Sequence, residues 1–243
     1  MKKSPFTKGF TLIELLMEHT NGAYSVGSWN LDDIVGGQVL DNSGSNNNGN
    51  VTGGVTLALA STDRTNVPFP SMKASLKFDG TGYISIPYKS SMNFIFTSAY
   101  TLMAWVKPAA FSQKMYIMGQ VLPYLSIDTT KKIVFGVSAT GNDVTHLLSG
   151  VSTLSQDKWY MVAGSYDNGS MKVYLDGKLE GQMTIPSAYS YSNLPFALGS
   201  YYEGSSRFTG NIAYARFYNM ALSTAEIQKM YAEESEKNLL SLK

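Results

Sequence analysis

Six glutamates stand beyond residue 24 of this 243-residue chain: Glu180, Glu203, Glu226, Glu233, Glu234 and Glu236. Cleaving a glycoside takes two carboxylates that flank the bond from a rigid surface. Glu180, Glu203 and Glu226 are isolated and the other three crowd the C-terminal end, so no pair falls on one strand. The two histidines, His19 and His146, lie in unrelated polar contexts, with no Ser-His-Asp arrangement and no metal-type spacing. Cysteine is absent, which removes thiolate nucleophiles, thiolate metal sites and disulfides. These counts name no catalytic residue. Binding a sugar is different chemistry, met by aromatic rings with polar or cationic groups beside them. The stretches SAYSYSN (187–193) and GSYYEGSSRF (199–208) offer that combination in Tyr189, Tyr191, Tyr201, Tyr202 and Arg207. Any one of these tyrosines also suits an ordinary strand position, ring packed and hydroxyl in water. The group is the candidate, not its members.

The elements that must carry these residues are strands. β-rich runs recur at YISIPY (83–88), TLMAWVKP (101–108), YLSI (124–127), KIVFGVSA (132–139), KWYMVAGSY (158–166), KVYL (172–175), FALGSY (196–201) and NIAYARFY (211–218). Turn residues separate them, the pattern of an all-β sandwich rather than of βαβ units. Asp176-Gly177 supplies the two positive-φ positions of a tight hairpin. The expected inter-sheet core is Trp105, Val106, Ile133, Phe135, Trp159, Val162, Val173, Leu175 and Phe217. The stretch from Val55 to Met72, with Pro68 and Pro70, is read as a flexible insertion. One helix is expected in ALSTAEIQKMYAEE (221–234). There Ser223 and Glu226 form a capping box, and Ile227, Met230 and Tyr231 share a face.

Composition bounds the rest. Apolar residues make up 44% of the chain, enough for a core, while charged residues are only 15%. The formal charge of +1 falls by three to −2 if Lys2, Lys3 and Lys8 leave with a cleaved leader. No basic run remains to follow phosphates, so no nucleic-acid partner is expected. No segment reaches the ~20 apolar residues of a membrane-spanning helix. The wet, turn-rich β composition fits work outside the cell. The division expected is a leader over 1–23, one β domain over 24–234 and a tail over 235–243.

The body resembles the laminin-G-like (concanavalin A-like) jelly-roll domains. WNLDD with LDNSGSNNNGNV (40–51), LKFDGTGYISIP (76–87), TLMAWVKP, DKWYMVAGSYDNGSMKVYLDGKLEG and FTGNIAYARFYNMALSTAEI (208–227) carry the likeness. The resemblance implies an all-β concanavalin A/laminin-G-like jelly-roll sandwich with a short C-terminal helix. In many such domains one Ca²⁺ sits between the early Asp/Asn loop and the final strand. By position its ligands here are Asp32, Asp41 and Asn47, hard oxygens of the kind that ion requires. The closing strand usually carries an acid, and this chain has Ala213 in Ile212-Ala213-Tyr214-Ala215. The implied Ca²⁺ site is weak or lost, and an Asn/Gly turn that satisfies its own backbone is the alternative. Glucanases also share the fold, but the carboxylate pair they use is missing.

The N-terminus resembles a type IV prepilin leader: a short basic start, then Gly9-Phe10-Thr11-Leu12-Ile13-Glu14. The likeness implies cutting after Gly9 by a prepilin peptidase, methylation of the new Phe10 terminus and a subunit-pairing role for Glu14. The apolar run then stops within about two helical turns, at the helix-ending HTNG. The leader is therefore either a remnant or an unusually short anchor. Three functional classes follow. The preferred one is a non-enzymatic bacterial surface domain that recognises a carbohydrate or a surface protein. The others are a minor pilin-like subunit or spacer, and a glycan-acting hydrolase.

Overall fold

Side chains of a strand alternate between its two faces, and here both faces of one sheet are buried. The computed structural model describes residues 25–92, 99–138, 145–186, 194–201 and 204–236. Gly9, Phe10, Glu14, Tyr189, Tyr191 and Tyr202 lie outside them. The first eight strands are β1 Ser25–Trp29, β2 Gln38–Val39, β3 Gly49–Thr52, β4 Val55–Leu59, β5 Ala74–Asp79, β6 Tyr83–Ile86, β7 Ala99–Pro108 and β8 Met115–Gly119. The second eight are β9 Tyr124–Ile127, β10 Ile133–Ser138, β11 Thr145–Ser149, β12 Tyr160–Asp167, β13 Ser170–Leu175, β14 Lys178–Thr184, β15 Phe196–Leu198 and β16 Thr209–Tyr218. One helix, α1 Thr224–Glu236, follows. Sheet A runs β14-β13-β12-β7-β16-β5-β4, with β1 also paired to β16, and sheet B runs β11-β10-β9-β8-β15-β6-β3-β2. Every recorded pairing is antiparallel. The strand pattern predicts this all-β sandwich, and the resemblance implies its jelly-roll form.

Between the sheets lies a core that includes Trp29, Leu76, Phe78, Leu102, Val106, Phe135, Val162, Val173, Phe196 and Phe217. Trp29 stacks on Phe196 at 5.7 Å and donates its indole N–H to the Asn47 carbonyl at 2.8 Å. The predicted hairpin is present: Asp176 and Gly177 have φ of 49° and 75°, and Leu175 pairs with Lys178.

A second apolar layer covers the outer face of sheet A and corrects two expectations. Trp105 belongs to it, with Met103, Met161, Ala163 and Ala213, and Trp159 packs at its margin half-buried. The reason is alternation: Val106 faces the sandwich interior, so its neighbour Trp105 must face out. Residues 55–72 are likewise no flexible insertion. They open with β4, and Ala60, Val67, Phe69 and Met72 pack into the same layer. A short turn there, Arg64–Asn66, offers the Thr65 carbonyl to both Lys107 Nζ at 2.8 Å and Trp159 Nε1 at 2.9 Å.

The helix closes this layer. Its capping box is made: Ser223 N–H donates to Glu226 Oε2 at 2.7 Å, and Glu226 N–H returns to Ser223 Oγ at 3.3 Å. Ile227 and Met230 are buried, and Tyr231 stacks on Trp105 at 5.8 Å. From the last turn Glu234 reaches two groups of the sheet, Trp105 Nε1 and Arg216 Nη2, both at 2.5 Å. Arg216 can stand beneath the helix because β16 carries a bulge between Ala213 and Arg216, with Tyr214 at φ 46°. The extra residue shifts the phase: Ile212, Ala215 and Phe217 face the sandwich core, whereas Ala213 and Tyr218 join the outer layer. No described helix is long and apolar enough to cross a membrane.

Candidate functional site

The inward residues of sheet B, among them Ile84, Leu125, Ile127, Phe135 and Val137, leave their neighbours on its outer face. Tyr83, Tyr116, Tyr124, Ser126 and Gly136 therefore point outward from β6, β8, β9 and β10. Gly136 pairs with Tyr124, and a Cβ at Gly136 would fall 2.4 Å from the Tyr124 ring. Only glycine there lets the ring lie across β10. Tyr116 meets Tyr124 and Tyr201, with ring centroids 4.6 Å apart in both cases. Lys114 extends over the first two rings, its Nζ 4.8 and 4.7 Å from their centroids, and donates to the Tyr124 hydroxyl at 3.0 Å. Burial pushes the Tyr116 phenol up to about 12 and raises Tyr124 as well, so both stay neutral near pH 7.

Two of the predicted ligand residues belong to this face. Tyr201 opens a tight turn, its N–H donating to the Ser205 carbonyl at 2.9 Å while Gly204 N–H donates back to the Tyr201 carbonyl at 3.0 Å. The turn is fixed to β8 by Tyr116 N–H, which donates to the Ser206 carbonyl at 3.1 Å. Arg207 then lies over the Tyr83 ring, 5.8 Å from its centroid. From β6 through β15 and β8 to β9 the strip spans three strand spacings, about 14 Å. Polar atoms without hydrogen-bond partners lie on or next to these strands. Ser126 Oγ, Ser200 Oγ, Gln120 Oε1 and Arg207 Nε are all buried and make no hydrogen bond. Tyr116, Tyr124 and Lys114 were not among the sequence candidates, although YLSI was read as a strand. Tyr124 meets Tyr116 through strand pairing that no local pattern reveals.

The early Asp/Asn loop is built differently from a metal cage. Asp41 Oδ1 accepts from the N–H groups of Ser28 and Ser43, both at 2.9 Å. Its Oδ2 accepts from Ser43 Oγ and Asn47 N–H, both at 2.8 Å. The four lone-pair sites of the carboxylate are thus taken by the protein. Asn47 is buried, donates from Nδ2 to the Val26 carbonyl and accepts at Oδ1 from Ser91 Oγ at 3.3 Å. Asp32 borders a separate small cleft of about 110 Å³ with Asn30, Asp33 and Asn42. This donor set does not fit the six to eight free oxygens that Ca²⁺ takes. Position 213 is no substitute, because Ala213 is sealed in the outer layer opposite Trp105. The residue of that strand beside Asp32 is Tyr214, whose phenol is pushed up by burial and secondarily by Asp32.

A sequence profile described as the concanavalin A-like lectin/glucanases superfamily, of the laminin-G type, matches residues 78–228, more than half of the chain. The chain belongs to this superfamily. One relative is the zebrafish (Danio rerio) adhesion G-protein coupled receptor V1, 24% identical over 157 residues; the match takes in 58% of this chain and 2% of the receptor. Among solved structures, the binding domain of Paraclostridial Mosquitocidal Protein 1 superposes with a TM-score of 0.67 at 14% identity, over 87% of this chain and 52% of that one. Domain 4 of AbnA, a GH43 extracellular arabinanase from Geobacillus stearothermophilus in complex with arabinotriose, gives 0.60 at 20% identity, over 86% and 98%. At these identities the structures speak for the fold alone. The chain spans about half of the mosquitocidal binding domain and a small fraction of the receptor.

In a superfamily that takes in both lectins and glucanases, what the glutamates do matters. Glu180 ties β14 to the loop after β11, accepting Val151 N–H at 3.0 Å, Ser152 N–H at 2.6 Å and Ser152 Oγ at 2.9 Å. Glu226 caps α1, Glu233 pairs with Lys229 at 3.5 Å, and Glu234 is bound to Arg216 and Trp105. These carboxylates hold the fold together and do not face one another across a groove. Among the described residues no three His, Cys, Asp or Glu side chains converge as metal ligands.

Proposed function

We propose that the chain is a non-enzymatic carbohydrate-recognition domain working outside the cell or at its surface. One observation carries the reading: on the outer face of sheet B the partly exposed rings of Tyr83 and Tyr201 lie beside Arg207 and Lys114, on a floor made by the buried rings of Tyr116 and Tyr124. Tyrosine rings supply the apolar faces that sugars stack on, with little entropy to lose because they already pack on one another. The likeness to a domain solved with arabinotriose supports the same reading.

The test is a glycan array probed with the full chain, with and without Ca²⁺. Binding to a defined glycan set, lost in Tyr201→Ala while the melting temperature holds, is the expected outcome. An array silent for the wild-type chain would remove the carbohydrate reading. A surface protein is the second reading. Leu147, Val151 and Leu179, all exposed, favour it where β11 and β14 adjoin around Glu180. Delivery is proposed through the prepilin-type leader: co-production with a prepilin peptidase should shorten the chain to Phe10, and Gly9→Val should block the cut.

A further inference from the structure

We propose that the glycan taken by this face carries a carboxylate, gripped by Arg207 at one end of the strip and attracted by Lys114 at the other. The inference rests on the carbohydrate reading above and narrows it to acidic sugars.

Among the described residues neither cation has an acidic partner. Among the described residues the ion pairs are Arg216–Glu234 and Lys229–Glu233, and both involve the helix. Lys114 has a neutral phenol as its hydrogen-bond partner. Asp128, at the end of β9, is turned to its own loop, its Oδ1 accepting from Thr130 N–H, Thr130 Oγ1 and Lys132 N–H. The negative charge that would balance the strip is therefore not supplied by these groups. Arg207 is the more telling of the two. Its plane lies over Tyr83 and its Nε–H is buried with no acceptor. A carboxylate engages two N–H groups of a guanidinium at once and brings the opposite charge, which makes it the matching ligand group. A neutral sugar hydroxyl satisfies one donor and leaves the charge. Between the cations the partly exposed Tyr201 ring packs on Tyr116. The reach of the strip suits a short oligosaccharide rather than one sugar.

Two sources share this chemistry, sialic acids and uronic acids. Calorimetry on the full chain would compare sialyllactose with lactose and trigalacturonate with galactotriose, at low and at physiological salt. We expect one acidic probe to bind at least about tenfold more tightly than its neutral counterpart, and that probe names the source. The preference should shrink as salt rises and fall to within about twofold in Arg207→Gln. Lys114→Gln, which alters a side chain at the surface, serves the same test if Arg207→Gln melts early. Equal affinity for acidic and neutral probes, or a preference that survives both substitutions, overturns the inference. If neutral probes bind as well as acidic ones, the carbohydrate reading stands and this one falls. If no sugar binds here or on the array, both fall.

Discussion

Removing Glu234 should loosen the whole domain, although Glu234 lies near the end of its helix. Its carboxylate is held by Arg216 Nη2 and Trp105 Nε1, both at 2.5 Å, and the side chains of Arg216 and Glu234 are only 13% and 11% exposed. The Arg216 guanidinium also lies 4.9 Å from the Tyr214 ring centroid and within 3.8 Å of Met103 Sδ, so it has no easy route to water. Glu234→Ala leaves that charge buried and unpaired, at a cost of roughly 3–5 kcal/mol. The residual exposure points to the lower end. A domain of this size loses about 2–4 °C per kcal/mol, so a melting temperature lower by about 6–12 °C is expected. Glu233→Ala provides the contrast, since Glu233 is exposed, its partner Lys229 is only half-buried, and such i,i+4 pairs contribute about 0.3–0.5 kcal/mol. The double variant Arg216→Met, Glu234→Leu should recover part of the loss, because apolar groups of similar volume replace a buried pair at little cost while the Trp105 indole N–H still loses its acceptor. Thermal melts followed by circular dichroism decide it. If Glu234→Ala melts no earlier than Glu233→Ala, the helix is not clamped through this pair and the account of the outer layer fails.

Trp159→Ala should cost about 1–2 kcal/mol, mostly its hydrogen bond to Thr65 and partial packing. Trp29→Ala should cost about 3–5 kcal/mol as a fully buried aromatic, and urea midpoints reversing that order would misplace both rings. Alkaline titration tests the tyrosine strip. The folded Tyr116 phenol, at about 12, lies above its ordinary value, so stability holds below about pH 10 and declines as pH rises toward 12. Tyr116→Phe should flatten that decline, and an unchanged profile would mean that Tyr116 is not buried. Finally, excess Ca²⁺ or EDTA should leave the melting curve in place, whereas a bound ion at a hundredfold excess would add about 2.7 kcal/mol. Ala213→Asp should destabilise the fold by burying a charge in the outer layer; a Ca²⁺-dependent gain in that variant would restore the metal reading.

What the sequence made legible was local. The strand runs, the Asp176-Gly177 hairpin and the Ser223–Glu226 cap each depend on residues close in sequence, and each formed as read. The tryptophans show the limit. Trp105 and Val106 were both assigned to one core although adjacent residues on a strand point to opposite faces. Alternation alone said that one must face out, but not that a helix and residues 60–72 would cover it. The bulge at Tyr214 escaped for a related reason, since NIAYARFY alternates acceptably until its pairing with β7 is known. At the candidate site, Tyr201 and Arg207 were visible as a tyrosine-rich stretch beside a cation. Tyr116 and Tyr124 join them only through the registers of β8, β9 and β10, with Gly136 making the space.

The place of β16 bears on when this chain can fold during its synthesis. β16 pairs with β7 along one side, and with β5 and then β1 along the other. The strand that begins the described domain is therefore completed only when β16, far downstream in the chain, has left the ribosome. Until residues 209–218 emerge, β1 has no partner in sheet A, and β5 and β7 lack the strand between them. Pairing over such separations is slow, and the waiting edges are open to other chains. Nascent protein of this topology has to be kept from association until β16 is out.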